Sequence, residues 1–483
     1  MEDKTSVIFG NPIPKKVVKK ANKKKNKALK KFGDDSNADY KLGFKKIDAL
    51  DNIGALNIVF DDENHEFGEK PLIVGNIRMG FGHYRISIAM ASAAKALGYT
   101  PYWLDLASFD ATGSKWIRTQ NELYSMGSRL SQKSKLFNKL YWETLHSEGF
   151  RKLTYNAGDQ KNTELLVPIF KHIDKDIPYI ATHAWPSQAA IHAGMTHVVN
   201  AIPDNWPMAL HLSEGAIHTI QTEFAYLGYK MMNGFDPKKK LKGMPDGSIK
   251  CVGHYVDHEL LVNLEEDNEL RVKRFNEGKP IRILLTVGGA GAGFDMFLAM
   301  LKHLKLYLDK NLVSIFINFG DHQNVYDKMC ETLSWFKDAK KYFNNYSGIK
   351  DLVKEIRNND ASGIYAFCSN NIFEAVYSTN LLIPVTDLLV TKPSELVFYP
   401  IPKLFMRHIG GHEAYGAIHG SELGDATFEC PTKETLNNML DTLINDKSLL
   451  VHMCDNINRL KKEGYYNGAY ECVKLAAGEK NDK

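Results

Sequence analysis

The chain has 483 residues, 44% of them hydrophobic, 24% charged and 11% aromatic, with 36 glycines and 17 prolines. These values exclude collagen-like, repeat and low-complexity classes for the bulk of the chain, and the length exceeds what one hydrophobic core fills, so two domains are expected. The net charge of +4 hides an asymmetry: residues 1–31 hold eleven lysines against Glu2 and Asp3, a net +9, which leaves the rest of the chain at −5.

Residues 1–45 are lysine-rich and poor in large apolar side chains. By composition this is a basic, disordered tail, because it cannot bury enough surface to offset its ordering entropy. Its charge suits anionic lipid head groups or nucleic acid phosphates. No aromatics are interleaved with the lysines, which weakens single-strand binding and favours a solvated tail with some membrane-surface affinity. From residue 71 the texture changes. Pro71–Gly75 reads as a buried strand, Tyr84–Leu97 as an alanine-rich helix closing at Gly98, and Tyr102–Asp105 as the next strand. Further strands are predicted at Tyr179–Thr182, His197–Ile202, His218–Gln221 and Ile249–Val252, with helical stretches between them. After a charged stretch at 255–280 a second series starts. Its strands are predicted at Ile281–Val287, Val313–Asn318, Gly363–Phe367, Asp387–Thr391 and Lys403–Met406, and two helical stretches, 432–445 and 448–476, end the chain. Strands alternating with helices imply parallel sheets covered on both faces, hence two doubly wound Rossmann-like α/β domains in tandem.

Six cysteines are scattered without a CxxC pair, as in reduced cytoplasmic proteins. No run of 18 apolar residues is present to predict a membrane span, and no apolar segment near the N-terminus predicts a secretory signal.

Five segments carry residues suited to chemistry. Asn76-Ile-Arg-Met-Gly80-Phe-Gly82-His83 joins the first strand to its helix, so glycines let the backbone approach a ligand at a positive helix end and His83 stands at the sheet's carboxyl edge. A capped βα turn explains the same residues equally well, and the spacing is not that of a dinucleotide fingerprint. Gly288-Gly289-Ala-Gly291-Ala-Gly293 suits a pyrophosphate and lacks the P-loop ending. Asp387-Leu-Leu-Val-Thr-Lys392-Pro-Ser-Glu395 places a carboxylate that could bind ribose hydroxyls, although taken alone it is better read as a helix start. Arg407-His-Ile-Gly410-Gly411-His412-Glu413 is another ligand-facing loop. Thr182-His183-Ala-Trp-Pro-Ser-Gln188 and Pro203-Asp204 bring His183 and Asp204 past strands on the same edge as His83. No metal-ligand spacing appears among these histidines, so no metal is expected.

In order and spacing these segments resemble the GT-B glycosyltransferases of the family 28 type. That group includes monogalactosyldiacylglycerol synthase, processive diacylglycerol glucosyltransferases and the enzyme that adds N-acetylglucosamine to lipid I. Gly80-Phe-Gly82-His83 resembles the family's GGxGH, His183 to Gln188 its H-P-x-x-Q, Asp204 its Thr-Asp, and His211 a later histidine. Gly288–Gly293 resembles the phosphate loop, Asp387–Lys392 the D-x-x-(I/V)-T-K, and Gly411-His412-Glu413 the G-Q-E. The resemblance covers roughly residues 71–430. It implies a GT-B fold of two Rossmann-like domains facing across a cleft, and an inverting, metal-free hexosyl transfer from a UDP-sugar to a lipid or lipid-linked hydroxyl, with no cofactor beyond the donor. His83 or Asp204 would be the catalytic base; His183, Gln188 and His211 would lie on the acceptor side. Gly82, Gly288, Gly289, Gly291, Phe367, Cys368, Ser369, Lys392, Glu395, Gly411, His412 and Glu413 would bind the nucleotide-sugar, with Phe367, Cys368 and Ser369 at the uracil. Implied boundaries are a tail over 1–45, an acceptor domain over 46–265, a nucleotide-sugar domain over 266–455 and a C-terminal helix over 456–483 that packs back on the first domain. The expected location is cytoplasmic and peripheral to the membrane. Alternatives are a UDP-sugar 2-epimerase-like enzyme, a glycosyltransferase acting on nucleic acid or protein, and a non-catalytic UDP-sugar-binding protein.

Overall fold

The computed structural model describes residues 4–133, 149–287 and 293–479. The chain divides into two compact units. Unit 1 comprises Met1–Asp257 with Asn467–Lys483, and unit 2 comprises His258–Tyr466. Each is a Rossmann-like α/β domain, as the alternation of apolar strands and helices implies.

Unit 1 opens with a two-stranded hairpin, β1 (Val7–Ile8) and β2 (Asn11–Pro12), followed by helix α1 (Lys15–Phe32). Its eight-stranded sheet contains β3 (Leu42–Lys46), β4 (Leu56–Phe60), β5 (Pro71–Asn76), β6 (Thr100–Asp105), β7 (Tyr179–Ala181), β8 (Val198–Ala201), β9 (Ile217–Ile220) and β10 (Ile249–Cys251). The order is β10-β9-β8-β7-β5-β6-β4-β3, parallel except for the antiparallel β3–β4 edge. Central β5 is buried over its last five residues, which is why it reads as a continuous apolar run and not as an alternating one. Ile73 on β5 is in register with Tyr102 on β6 and Tyr179 on β7. Helices α2 (Gly82–Ala96) and α3 (Thr112–Lys133) follow β5 and β6.

Two expectations are corrected. Residues 15–32 are not a disordered tail: they form α1, which lays Ala21 and Ala28 against unit 1 and exposes its lysines. Composition averages over a helix circumference, and an apolar stripe at 3.6-residue spacing suffices to dock it. The stretch 448–476 is not one helix but two, Ser448–Lys462 in unit 2 and Gly468–Ala476 in unit 1, where the latter packs on α2.

Unit 2 has a six-stranded, all-parallel sheet: β11 (Ile281–Thr286), β12 (Val313–Asn318), β13 (Lys340–Phe343), β14 (Gly363–Cys368), β15 (Leu388–Thr391) and β16 (Lys403–Phe405), in the order β13-β14-β12-β11-β15-β16. Its core joins Ile283, Leu285, Ile315 and Val390 to the helices on one face, notably through Met300, Leu304, Leu436 and Leu440. No helix among the described residues is long and apolar enough to cross a membrane.

Candidate active site

In unit 1, β5 pairs with β6 on one side and with β7 on the other. The connections therefore leave β5 in opposite directions, and their carboxyl ends form the switch point at which open α/β sheets bind ligands. Gly80 turns the chain there with φ 90°, a backbone conformation that side chains disfavour, and α2 starts two residues later. His83 lies in its first turn. Its Nδ1–H donates to the Thr182 carbonyl beyond β7 at 2.7 Å, so the neutral ring holds its basic lone pair on Nε2.

The His83 ring meets the His183 ring edge to face, 4.9 Å between centroids. His183 caps the helix Ala184–His192 by accepting the Trp185 N–H on Nδ1 at 3.1 Å, which leaves Nε2 protonated in the neutral ring. Burial, then the charges of His83 and His211, hold His183 well below the ordinary imidazole range, while Asp204 pulls the other way. His183 thus stays a neutral donor at pH 7.

His211 links two partners. Nε2 lies 3.1 Å from Asp204 Oδ2, and Nδ1 lies 2.6 Å from the Tyr229 hydroxyl, which also accepts the Met208 N–H at 3.2 Å. Asp204 is 36% exposed and His211 only 6%, so the carboxylate faces outward and the imidazole backs it. Three buried amides fix the turn that carries His211. Asn156 donates to the Ala209 and Leu212 carbonyls, Gln188 to the Leu212 carbonyl, and Asn200 to the His211 carbonyl, all at 2.7–2.8 Å. Gln188, expected on the acceptor side, is fully buried in this scaffold, where its side chain positions the His211 turn.

The structure therefore gathers His83, His183, Asp204 and His211 at one sheet edge. It adds groups that pattern reading missed. Asn76, the last residue of β5, is fully buried with both amide atoms unpartnered among the described residues. A polar residue closing an apolar strand was a usable signal for it. Tyr229 had none, since its role arises only by packing. No group of three or more His, Cys, Asp or Glu among the described residues is placed to hold a metal ion.

In unit 2 the corresponding switch point lies between β11 and β15. Thr286 and Thr391, at the ends of these strands, are joined by their hydroxyls at 3.2 Å. Gly288, Gly289 and Gly291 follow β11 but lie outside the described residues; the helix Phe294–Leu308 begins just after them. Past β15, Lys392 pairs with Glu413, whose other oxygen accepts the Ile409 N–H at 2.9 Å, so the 409–413 loop is tied to the end of β15. Glu395 is half-buried at the start of the turn Glu395–Phe398, and Gly411 is exposed. The backbone of His412 lies in the turn Gly411–Glu413; its side chain is outside the described set. Phe367 is buried between Phe316 and Tyr342, and Cys368 is in the core with its thiol pushed up to about 11 by burial. Their side chains are given to the core. Ser369 donates to Glu374 at 2.7 Å and accepts the Asn371 N–H at 3.1 Å, bracing the next helix, so the segment offers the edge mainly backbone.

Residues 7–231 match the family model described as Domain of unknown function (DUF6937), and residues 244–477 match a second, Domain of unknown function (DUF6938). No curated protein matches the chain in sequence. Solved structures similar to it include the UDP-GlcNAc 2-epimerase from Neisseria meningitidis bound to UDP-GlcNAc, with 11% identity, TM-score 0.45, and coverage of 84% of this chain and 98% of that one. A trehalose-6-phosphate structure from E. coli bound with UDP-2-fluoro glucose has 10% identity, TM-score 0.42, and coverage of 84% and 99%. The spinosyn rhamnosyltransferase SpnG complexed with thymidine diphosphate has 9% identity, TM-score 0.34, and coverage of 85% and 100%.

Proposed function

We propose that the protein is an inverting glycosyltransferase that moves a hexose from a UDP-sugar to the hydroxyl of a lipid or lipid-linked acceptor at the cytoplasmic face of a membrane. The observation that carries the reading is the His83 tether. With Nδ1–H committed to the Thr182 carbonyl, Nε2 is the atom that takes a proton, and a base with that geometry suits an attacking hydroxyl. The buried, neutral His183 beside it keeps a second positive charge out of the site. Asp204, held by His211, supplies the negative charge that favours protonated His83 as the bond forms.

Unit 2 takes the donor in this reading. The 288–293 loop and the following helix start would stabilise the leaving pyrophosphate, the electrostatic contribution that is commonly largest. Lys392, Glu395 and Glu413 follow β15 at the same switch point. Unit 1 takes the acceptor.

The test is UDP release from a panel of UDP-sugars, with and without a lipid extract. Release that requires the extract is expected, and His83→Ala is expected to lower kcat by about 10²–10⁴ with UDP affinity unchanged. Absence of UDP binding to the wild-type protein refutes the reading. A folded His83→Ala protein with near wild-type turnover moves the base to Asp204.

A further inference from the structure

Helix α1 exposes nine lysines between Lys15 and Lys31. At 3.6 residues per turn these nine fall in one continuous half of the circumference, with only Asn26 among them and no acidic residue. The other half carries Val17, Val18, Ala21, Ala28, Leu29 and Phe32 against unit 1, and Lys25, which pairs with Glu164 at 2.6 Å. The helix is therefore held rigidly, charge outward, over about 27 Å. Lys15, Lys19, Lys23, Lys27 and Lys31 follow one another at four-residue spacing, an arrangement that repels and weakens a helix unless something anionic covers it.

A second basic element adjoins the first. Asn11, at the start of β2 just before α1, accepts the Lys242 N–H at 2.8 Å and donates to the Lys242 carbonyl at 3.1 Å. Lys238, Lys239, Lys240 and Lys242 are exposed on that loop. Ile13, Val17 and Val18 share a core cluster with Tyr226, Met232 and Leu241, so the start of α1 and the helix Glu223–Met231 pack over the same core. That helix leaves an apolar row uncovered, with Phe224 at 44%, Leu227 at 58% and Met231 at 62% exposure, spaced three and four residues apart on one face. The row begins beside Trp206, whose ring stacks on Phe224 at 6.1 Å and carries Arg151 over it at 4.8 Å. Trp206 is two residues from Asp204.

We propose that the lysine face of α1, the Lys238–Lys242 loop and the Phe224–Leu227–Met231 row form one docking surface for an anionic phospholipid membrane. Phosphates satisfy the lysines, and the acyl boundary takes the apolar row. A nucleic acid backbone would leave that row in water. The lysine face also has no arginine for paired contacts to bases and no aromatic for stacking. Docking stands on this surface alone. That it delivers a lipid acceptor beside Asp204 rests on the transferase reading above.

The experiment is sedimentation of the full chain, without nucleotide, with phosphatidylcholine vesicles and with vesicles containing about one-third phosphatidylglycerol. Binding to the anionic vesicles alone, lost near about 0.5 M salt, is expected. The variant K16Q/K20Q/K23Q/K27Q should bind them about a hundredfold to a thousandfold more weakly. L227Q/M231Q should bind about tenfold more weakly with its salt dependence kept. All six positions are exposed, and a melting curve on each variant verifies its fold. Wild-type protein left in the supernatant overturns the proposal. So does duplex DNA that strips the protein from vesicles while L227Q/M231Q binds them as wild type does, which makes the face a nucleic acid site. A protein that docks but does not bind UDP leaves the docking intact and removes the transferase reading.

Discussion

Replacing Asp159 by Asn tests the electrostatics beneath the candidate site. Asp159 lies on the helix Leu153–Asn162, and one turn earlier Asn156 grips the His211 turn. Burial pushes the Asp159 carboxyl up from 3.8 to about 7, while the Trp185 side chain and the charge of Lys24 pull the other way. An acid whose pKa is higher in the folded state holds its proton more tightly there than in the unfolded chain. The stability contributed by Asp159 is then greatest below about pH 4 and falls as pH rises toward about 7. At 1.36 kcal/mol per pH unit the displacement corresponds to about 4 kcal/mol, lost across that window. Asn keeps the shape and removes the charge, so Asp159→Asn should flatten the slope and be the more stable protein near pH 7.5, by at most about 4 kcal/mol. Urea unfolding at a series of pH values, followed by tryptophan fluorescence, measures this, and five of the six tryptophans lie in unit 1. A variant with the wild-type pH slope would show that Asp159 is ionised in the fold and would refute the reasoning.

Lys403 and Asp425 form a fully buried pair in unit 2 at 2.7 Å; Lys403→Met strands the carboxylate and should cost about 3–5 kcal/mol in chemical unfolding. Tyr229→Phe removes the hydroxyl shared by Met208 and His211 and should cost about 1–3 kcal/mol, read from the same kind of curve. A Cβ at Gly75 would stand 1.9 Å from the buried Tyr179 hydroxyl and 2.3 Å from its Cζ, so Gly75→Ala should cost at least about 1–3 kcal/mol, or prevent soluble expression, whereas a Gly75→Ala/Tyr179→Val double variant, which removes the ring, should be less destabilised in a melting curve than the Gly75→Ala/Tyr179→Phe variant, which keeps Cζ.

The central strands were legible because each is an unbroken apolar run, as burial on both faces demands: Val313–Asn318 was read to the residue, and Pro71–Gly75 one residue short. Of the edge strands, β10 and β16 were legible as short apolar runs, whereas β13 and β3 were not. Lys340-Lys-Tyr-Phe opens with two exposed lysines, and β3 ends with two lysines, so neither shows the buried pattern. Helix α1 was missed for the related reason that ten lysines in its 18 residues swamp six apolar ones in any average, although their spacing gives one docking face.

Site residues followed a different rule. That His83, His183 and Asp204 come to one sheet edge was legible because each lies in the connection that leaves the carboxyl end of a parallel strand, a fixed place in this architecture. What a side chain does there depends on partners distant in sequence. Ninety-nine residues separate His83 from the carbonyl that orients it, and eighteen separate His211 from Tyr229. Gln188 illustrates the limit from the other side. Its position beside a motif suggested contact with an acceptor, yet its amide is spent on the Leu212 carbonyl. That bond braces the turn that sets His211 against Asp204. Strand ends told where a site would form, and only the folded contacts separate the groups that face its ligand from those that hold them in place.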